Sequence, residues 1–133
     1  MLTIGIYADT PRACTGMAIV NHNLAYNLSR MFESGLRVIY FARFEGSQGF
    51  SPDSDVYEGY EIVGCEGGVW KASTVAGTIK KYGIDIVYSE DDWWSVEGLI
   101  EATQIMKKPF YLMTPIDSCL LYTSPSPRDR QKS

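Results

Sequence analysis

Five consecutive residues, Glu90-Asp91-Asp92-Trp93-Trp94, set three carboxylates and two indoles directly after an apolar run. Carboxylates in such a place accept sugar hydroxyls, serve as a general base or hold a divalent metal. A flat indole stacks on a sugar face. Asp92 is the candidate catalytic base, and Asp91 and Trp93 are candidate substrate contacts. These residue types also have a plain structural use, because acids at a helix N-terminus meet the positive end of its dipole and tryptophans pack as core. Trp94 is read as core. A second stretch, Asp9 to Met17, is polar and ends in Thr15-Gly16 at the start of a periodic apolar segment. Glycine there lets a ligand approach the backbone, and exposed N–H groups favour an anion or a sugar hydroxyl. The plain structural use of Gly16 is to relax a tight turn. Asp9, Thr15, Gly16 and Met17 form the floor of any crevice, and Asp117, after the last apolar run, faces the same edge. His22 lies inside the first helical segment, off its apolar stripe, and is read as a surface or packing residue.

These residues need a scaffold that brings chain-distant loops to one place. Leu2 to Ala8 is a short run rich in strand formers, followed by apolar positions Met17, Val20, Leu24, Leu28 and Met31/Phe32 at helical spacing. That helix starts near Thr15 or Gly16 and stops at Gly35. Leu36 to Ala42 is a second strand, Arg43 to Gly59 a long loop rich in Gly, Ser, Pro and Asp, and Tyr60 to Gly64 a short edge strand. A helix from Val69 or Ser73 to Tyr82 is closed by Gly83. Ile84 to Ser89 is a buried strand, Ser95 caps a helix with Val96, Leu99, Ile100 and Met106 inward, and Pro109 to Met113 is the last strand. Strands alternating with helices imply right-handed crossovers. The expectation is an α/β fold: a Rossmann-like open parallel sheet, helices on both faces, order 3-2-1-4-5. Its core should hold Ile4, Ile6, Leu24, Leu28, Val38, Tyr40, Ile79, Ile86, Val87, Leu99, Ile100 and Leu112.

Composition narrows the function. The whole chain of 133 residues carries −4, and the last fifteen residues carry +2, so residues 1–118 stand at −6. An acidic domain without a basic stripe argues against a nucleic-acid partner. Neither G-x-G-x-x-G nor G-x-x-x-x-G-K-[ST] occurs. Cys14, Cys65 and Cys119 have no C-x-x-C spacing and there is one histidine, so a zinc site is not expected. Free thiols, no signal peptide before the first strand and no apolar run long enough to span a bilayer lead to the expectation of a cytoplasmic protein with no transmembrane segment.

The end of the chain breaks the pattern. Cys119-Leu120-Leu121-Tyr122-Thr123-Ser124-Pro125-Ser126-Pro127-Arg128-Asp129 resembles the in-frame translation of a transposon-end sequencing adapter, as found in open reading frames assembled from shotgun, metagenomic libraries. Its proline-serine run cannot continue a βα pattern. Residues 119–133 are therefore expected to be a non-native disordered tail, and residues 1–118 an incomplete domain of a longer natural protein.

Within those residues, Tyr7-Ala8-Asp9-Thr10-Pro11 with Thr15-Gly16-Met17-Ala18, and the helix through Leu24 and Leu28 to Gly35, resemble the start of GT-B-type glycosyltransferases of the group 1 kind. Lys108-Pro109-Phe110-Tyr111-Leu112-Met113-Thr114-Pro115-Ile116-Asp117 is similar to their P-strand-P-[IV]-D segment, and Tyr82 to Ser89 resembles the strand before their acceptor-side loop. The sequence departs from the family where many members have Gly-Gly in the first loop, and where many have a histidine after the fourth strand. The resemblance implies one half of a two-domain architecture, the acceptor-side half, in an enzyme that transfers a sugar from a nucleotide-sugar donor to an acceptor. It places Gly16 and its neighbours near the donor diphosphate, and Asp91, Asp92 and Trp93 near the acceptor or transferred sugar. It implies no cofactor and no metal, and a fragment without turnover. The competing expectation is a non-enzymatic flavodoxin-like or receiver-like binding module.

Overall fold

The structure, a computed structural model, describes residues 2–12, 16–31, 35–44, 55–65, 67–91 and 95–113. The elements run β1 (Leu2–Asp9), α1 (Gly16–Met31), β2 (Leu36–Arg43), β3 (Asp55–Tyr57), β4 (Tyr60–Cys65), α2 (Ala72–Tyr82), β5 (Ile86–Glu90), α3 (Glu97–Met106) and β6 (Phe110–Met113). All six strands form one sheet in the order β3-β4-β2-β1-β5-β6. The pairs β1·β2, β1·β5, β2·β4 and β5·β6 are parallel, and only β3 is antiparallel, as a hairpin on the outer side of β4. The five parallel strands thus stand in the expected 3-2-1-4-5 order, a Rossmann-like arrangement distinct from the flavodoxin-like 2-1-3-4-5. The order reverses between β1 and β5.

Alternation along the strands divides the core in two. Tyr7, Ile39, Phe41, Val63 and Val87 point to the face that α2 and α3 cover, where they meet Val75, Ile79 and Leu99. Ile6, Val38, Tyr40 and Ile62 point to the opposite face, which α1 covers through Ala25. Complete burial of side chains such as Val75 and Leu99 stabilises the fold by roughly 1.5–3 kcal/mol each.

Several expectations are corrected by how the helices seat. The innermost residues of α1 are Ala18, Asn21 and Ala25, while Val20 and Met31 are exposed and Leu24 and Leu28 are half-buried. Small residues let the helix axis approach the sheet, so the large aliphatics flank the contact line instead of forming it. On α3, Gly98, Leu99, Ala102 and Thr103 face inward and Ile100 is 39% exposed. The cause is Gly98: a Cβ there would lie 1.9 Å from the Trp70 carbonyl oxygen, so the helix turns this bare position toward the backbone and Ile100 away from it. Val96, not Ser95, is the N-cap, and no side chain caps the helix. The long loop expected over Arg43 to Gly59 contains β3, and Arg43 itself closes β2. Ile84 and Asp85 precede β5 instead of opening it; Asp85 accepts a hydrogen bond from the Thr3 amide at 2.9 Å and joins the start of β1 to that of β5.

The α1 helix shields the β1–β2–β4 side of its face and leaves the β5–β6 side open. An apolar groove of about 350 Å³ remains there, lined by Ile4, Leu24, Leu28, Ile86, Tyr88 and Tyr111. No helix among the described residues is long and apolar enough to cross a membrane.

Candidate active-site edge

The carboxyl ends of parallel strands lie on one edge, and here that edge gathers charge. Asp9 ends β1, Arg43 ends β2, and Glu90 ends β5 with Asp91 next in the chain. Parallel pairing places Asp9 directly beside Arg43. The guanidinium is buried, its side chain 8% exposed, and each of its three nitrogens donates a hydrogen bond. Nε donates to Asp9 Oδ1 at 2.7 Å, Nη2 to Asp91 Oδ2 at 2.6 Å, and Nη1 to the Gly68 carbonyl at 3.0 Å. The rings of Phe44 and Trp70 each lie 5.6 Å from the guanidinium carbon. Charge-assisted bonds of this length are the strong kind, and the planar fork fixes both carboxylates in direction.

The loop after β1 is tied to the same edge. The Thr10 amide donates to the Arg43 carbonyl at 2.9 Å, and the Tyr40 hydroxyl donates to the Asp9 carbonyl. Burial pushes the Tyr40 phenol well above its usual range, so it remains a neutral donor. Glu90 is also raised, by desolvation.

Asp9 and Asp91, picked from the sequence as separate candidates, are brought together by one arginine. Asp91 is buried, and Asp9 retains 29% of its side-chain surface, so Asp9 is the more accessible of the two carboxylates. A carboxylate held by a buried guanidinium is set up as a fixed acceptor for hydroxyl groups, less so as a proton-abstracting base. Gly16 is exposed as the first residue of α1, and a Cβ built on it would meet nothing within 4 Å. Among the described residues, the side of Gly16 on which a Cβ would stand therefore faces open space. Met17 is half-buried, and its carbonyl accepts from the Asn21 side chain at 2.8 Å. Thr15, Asp92, Trp93 and Asp117 lie outside the described residues.

His22 packs, as its position on the helix suggested. Its Nδ1 is 2.7 Å from the Tyr60 hydroxyl, and the Tyr57 ring meets it edge-on with centroids 5.7 Å apart. Arg12 lies 4.7 Å from the Tyr57 ring centre, which fastens the loop after β1 to the β3–β4 hairpin.

Sequence reasoning missed Arg43 and Asn21. Arg43 opens the loop expected from the sequence, yet the two seven-residue runs Leu2 to Ala8 and Leu36 to Ala42 are followed by Asp9 and Arg43, and that match was the available signal. Asn21 carried none, because an asparagine inside an amphipathic helix reads as a solvent-facing residue. Among the described residues no group of three or more His, Cys, Asp or Glu side chains is placed to hold a metal ion. No family model matches this chain, and no curated protein matches it either.

Proposed function

We propose that residues 1–118 are the acceptor-side, Rossmann-like half of a glycosyltransferase of GT-B architecture. The parent protein would transfer a sugar from a nucleotide-sugar donor to an acceptor, in the cytoplasm and without nucleic acid as partner. One observation carries the reading: the 3-2-1-4-5 sheet sets Asp9, Arg43 and Asp91 together at its carboxyl edge. Ligands of open α/β sheets bind at that edge. In this reading Asp9 and Asp91 orient sugar or acceptor hydroxyls, Gly16 admits the donor close to the helix N-terminus, and Asp92 is the catalytic carboxylate. Thr15, Met17, Trp93 and Asp117 complete the wall. A second Rossmann-like domain supplies the opposite wall, and the isolated half has no turnover, since one wall cannot orient two substrates.

The competing reading of a flavodoxin-like or receiver-like module needs the 2-1-3-4-5 order, which this sheet does not have. The test is sugar incorporation by the parent protein, the domain joined to its natural continuation, from a panel of labelled nucleotide-sugars. Incorporation or donor hydrolysis with one member of the panel supports the proposal. A parent protein whose continuation lacks a second βαβ domain and that consumes no nucleotide-sugar contradicts it.

A further inference from the structure

His22, the only histidine of the chain, is set among tyrosines where α1 meets the β3–β4 hairpin. Its Nδ1 lies 2.7 Å from the Tyr60 hydroxyl, and the Tyr57 ring meets it edge-on at 5.7 Å. On α1 itself the Tyr26 ring lies 6.1 Å away. Tyr60 is buried, and desolvation pushes its phenol well above the usual range, so the hydroxyl keeps its proton. That proton needs an acceptor, and among the described residues His22 Nδ1 is the one in place to take it. The nitrogen must then be bare, which a neutral imidazole with its proton on Nε2 provides. Protonation of the ring puts a hydrogen on Nδ1 as well. Two donors then face each other, and either the phenol proton is left unpaired or the contact opens.

The charges around the ring push the same way. Arg12 stands 4.7 Å from the Tyr57 ring centre, and Arg30 donates to the Tyr26 hydroxyl at 2.8 Å, so two cations lie one ring away from His22. The acidic group near them is Glu58, in the exposed hairpin turn, whose charge acts on Tyr60. Tyr40, from β2, packs behind Tyr60 with centroids 5.8 Å apart and is itself neutral. The hairpin is poorly able to hold itself. Its strand β3 has three residues and ends the sheet. Its turn sets Glu58 at φ +52° and Gly59 at φ +91°, a left-handed pair that suits glycine and strains glutamate. Through Tyr57 the hairpin also holds Arg12, whose amide donates to Thr10 Oγ1 at 3.3 Å in the loop after β1.

We infer that His22 is a pH-sensitive latch: neutral, it holds β3 and its turn against α1, and with them the loop after β1; protonated, it lets them go. Histidine is the side-chain type that ordinarily changes charge between about pH 5 and pH 8. The inference rests on the hairpin contacts alone, so it stands or falls apart from the transfer reaction.

Hydrogen exchange of the nitrogen-15-labelled chain from about pH 8 to about pH 5 tests this, with the His22 ring signals recorded alongside. Protection is taken relative to the unstructured rate at each pH. As His22 protonates, protection of the Tyr57 and Tyr60 amides, paired across the hairpin, should fall at least about tenfold, the effect of one covered donor left unpaired. Protection of the buried Val87, in β5, should hold. His22→Asn offers an amide oxygen near the place of Nδ1 and does not titrate. Tyr60→Phe removes the hydroxyl and leaves the histidine free to ionise. In both variants the fall should vanish. Hairpin protection that stays level through the His22 titration overturns the inference. So does a fall that persists in both variants.

Discussion

Arg43 sits where three chain-distant segments meet, and its removal would leave Asp9 and Asp91 close together in a poorly solvated place. Breaking one partner out of a buried ion pair costs about 3–5 kcal/mol. Arg43→Met should therefore lower the urea unfolding free energy by that order. Adding Asp91→Asn to it should recover part of the loss, because the repulsion is then gone. An Arg43→Met protein as stable as the parent chain would show that the cluster is not the anchor of this edge. Glu90 yields a prediction in pH. Burial raises its folded pKa, so the native state binds the proton more tightly than the unfolded chain does. Its contribution to stability is full below the ordinary glutamate value and is lost as pH rises through the raised one. Glu90→Gln should thus melt higher than the parent chain at neutral pH and equally at low pH. Equal melting temperatures across the range would remove the desolvation argument. At this scale the sequence was only half legible. Asp9 and Asp91 could be picked out by type and position, but their common partner, Arg43, required the register of β1 on β2.

Elements were more legible, because hydrophobic period and glycine punctuation are local. The Gly83 cap of α2 has φ +65°, and its N–H donates to the Ile79 carbonyl, which is what a glycine after a last helical turn announces. What escaped was rotation of the helices about their own axes. Apolar spacing shows a stripe but not which residues in it lie deepest, and that is decided by the smallest side chains at the contact. Gly98 is the clearest case. Gly98→Ala would drive a methyl to 1.9 Å from the Trp70 carbonyl oxygen and force α3 off its seat. Overpacking of this kind costs typically 1–3 kcal/mol, so thermal melting should fall by several degrees. The same change at Gly77 of α2, where a Cβ meets nothing within 4 Å, should stabilise slightly. If both variants melted alike, the tight α3–Trp70 approach would be wrong.

For the molecule as a whole, the strand order was recoverable because β and α segments alternate and crossovers have one hand. The β3 hairpin was not, since three residues within a polar stretch carry no periodic signal. Residues 119–133 provide a separate test of the expectation that they are foreign to the fold. Deleting Cys119 to Ser133 should leave the melting temperature unchanged, and a large drop would show that they belong to the packed domain. In the proposed function the carboxyl edge is one wall of a sugar-transfer site. Donor-dependent transfer by the parent protein carrying Gly16→Val or Asp92→Asn measures it most directly. Gly16 is exposed with open space over it, so valine there should block donor approach while the melting temperature holds. Transfer should fall at least about a hundredfold with Gly16→Val, which is roughly 2.7 kcal/mol of lost transition-state binding, and by a comparable factor with Asp92→Asn. Transfer that proceeds undiminished in both folded variants would contradict it.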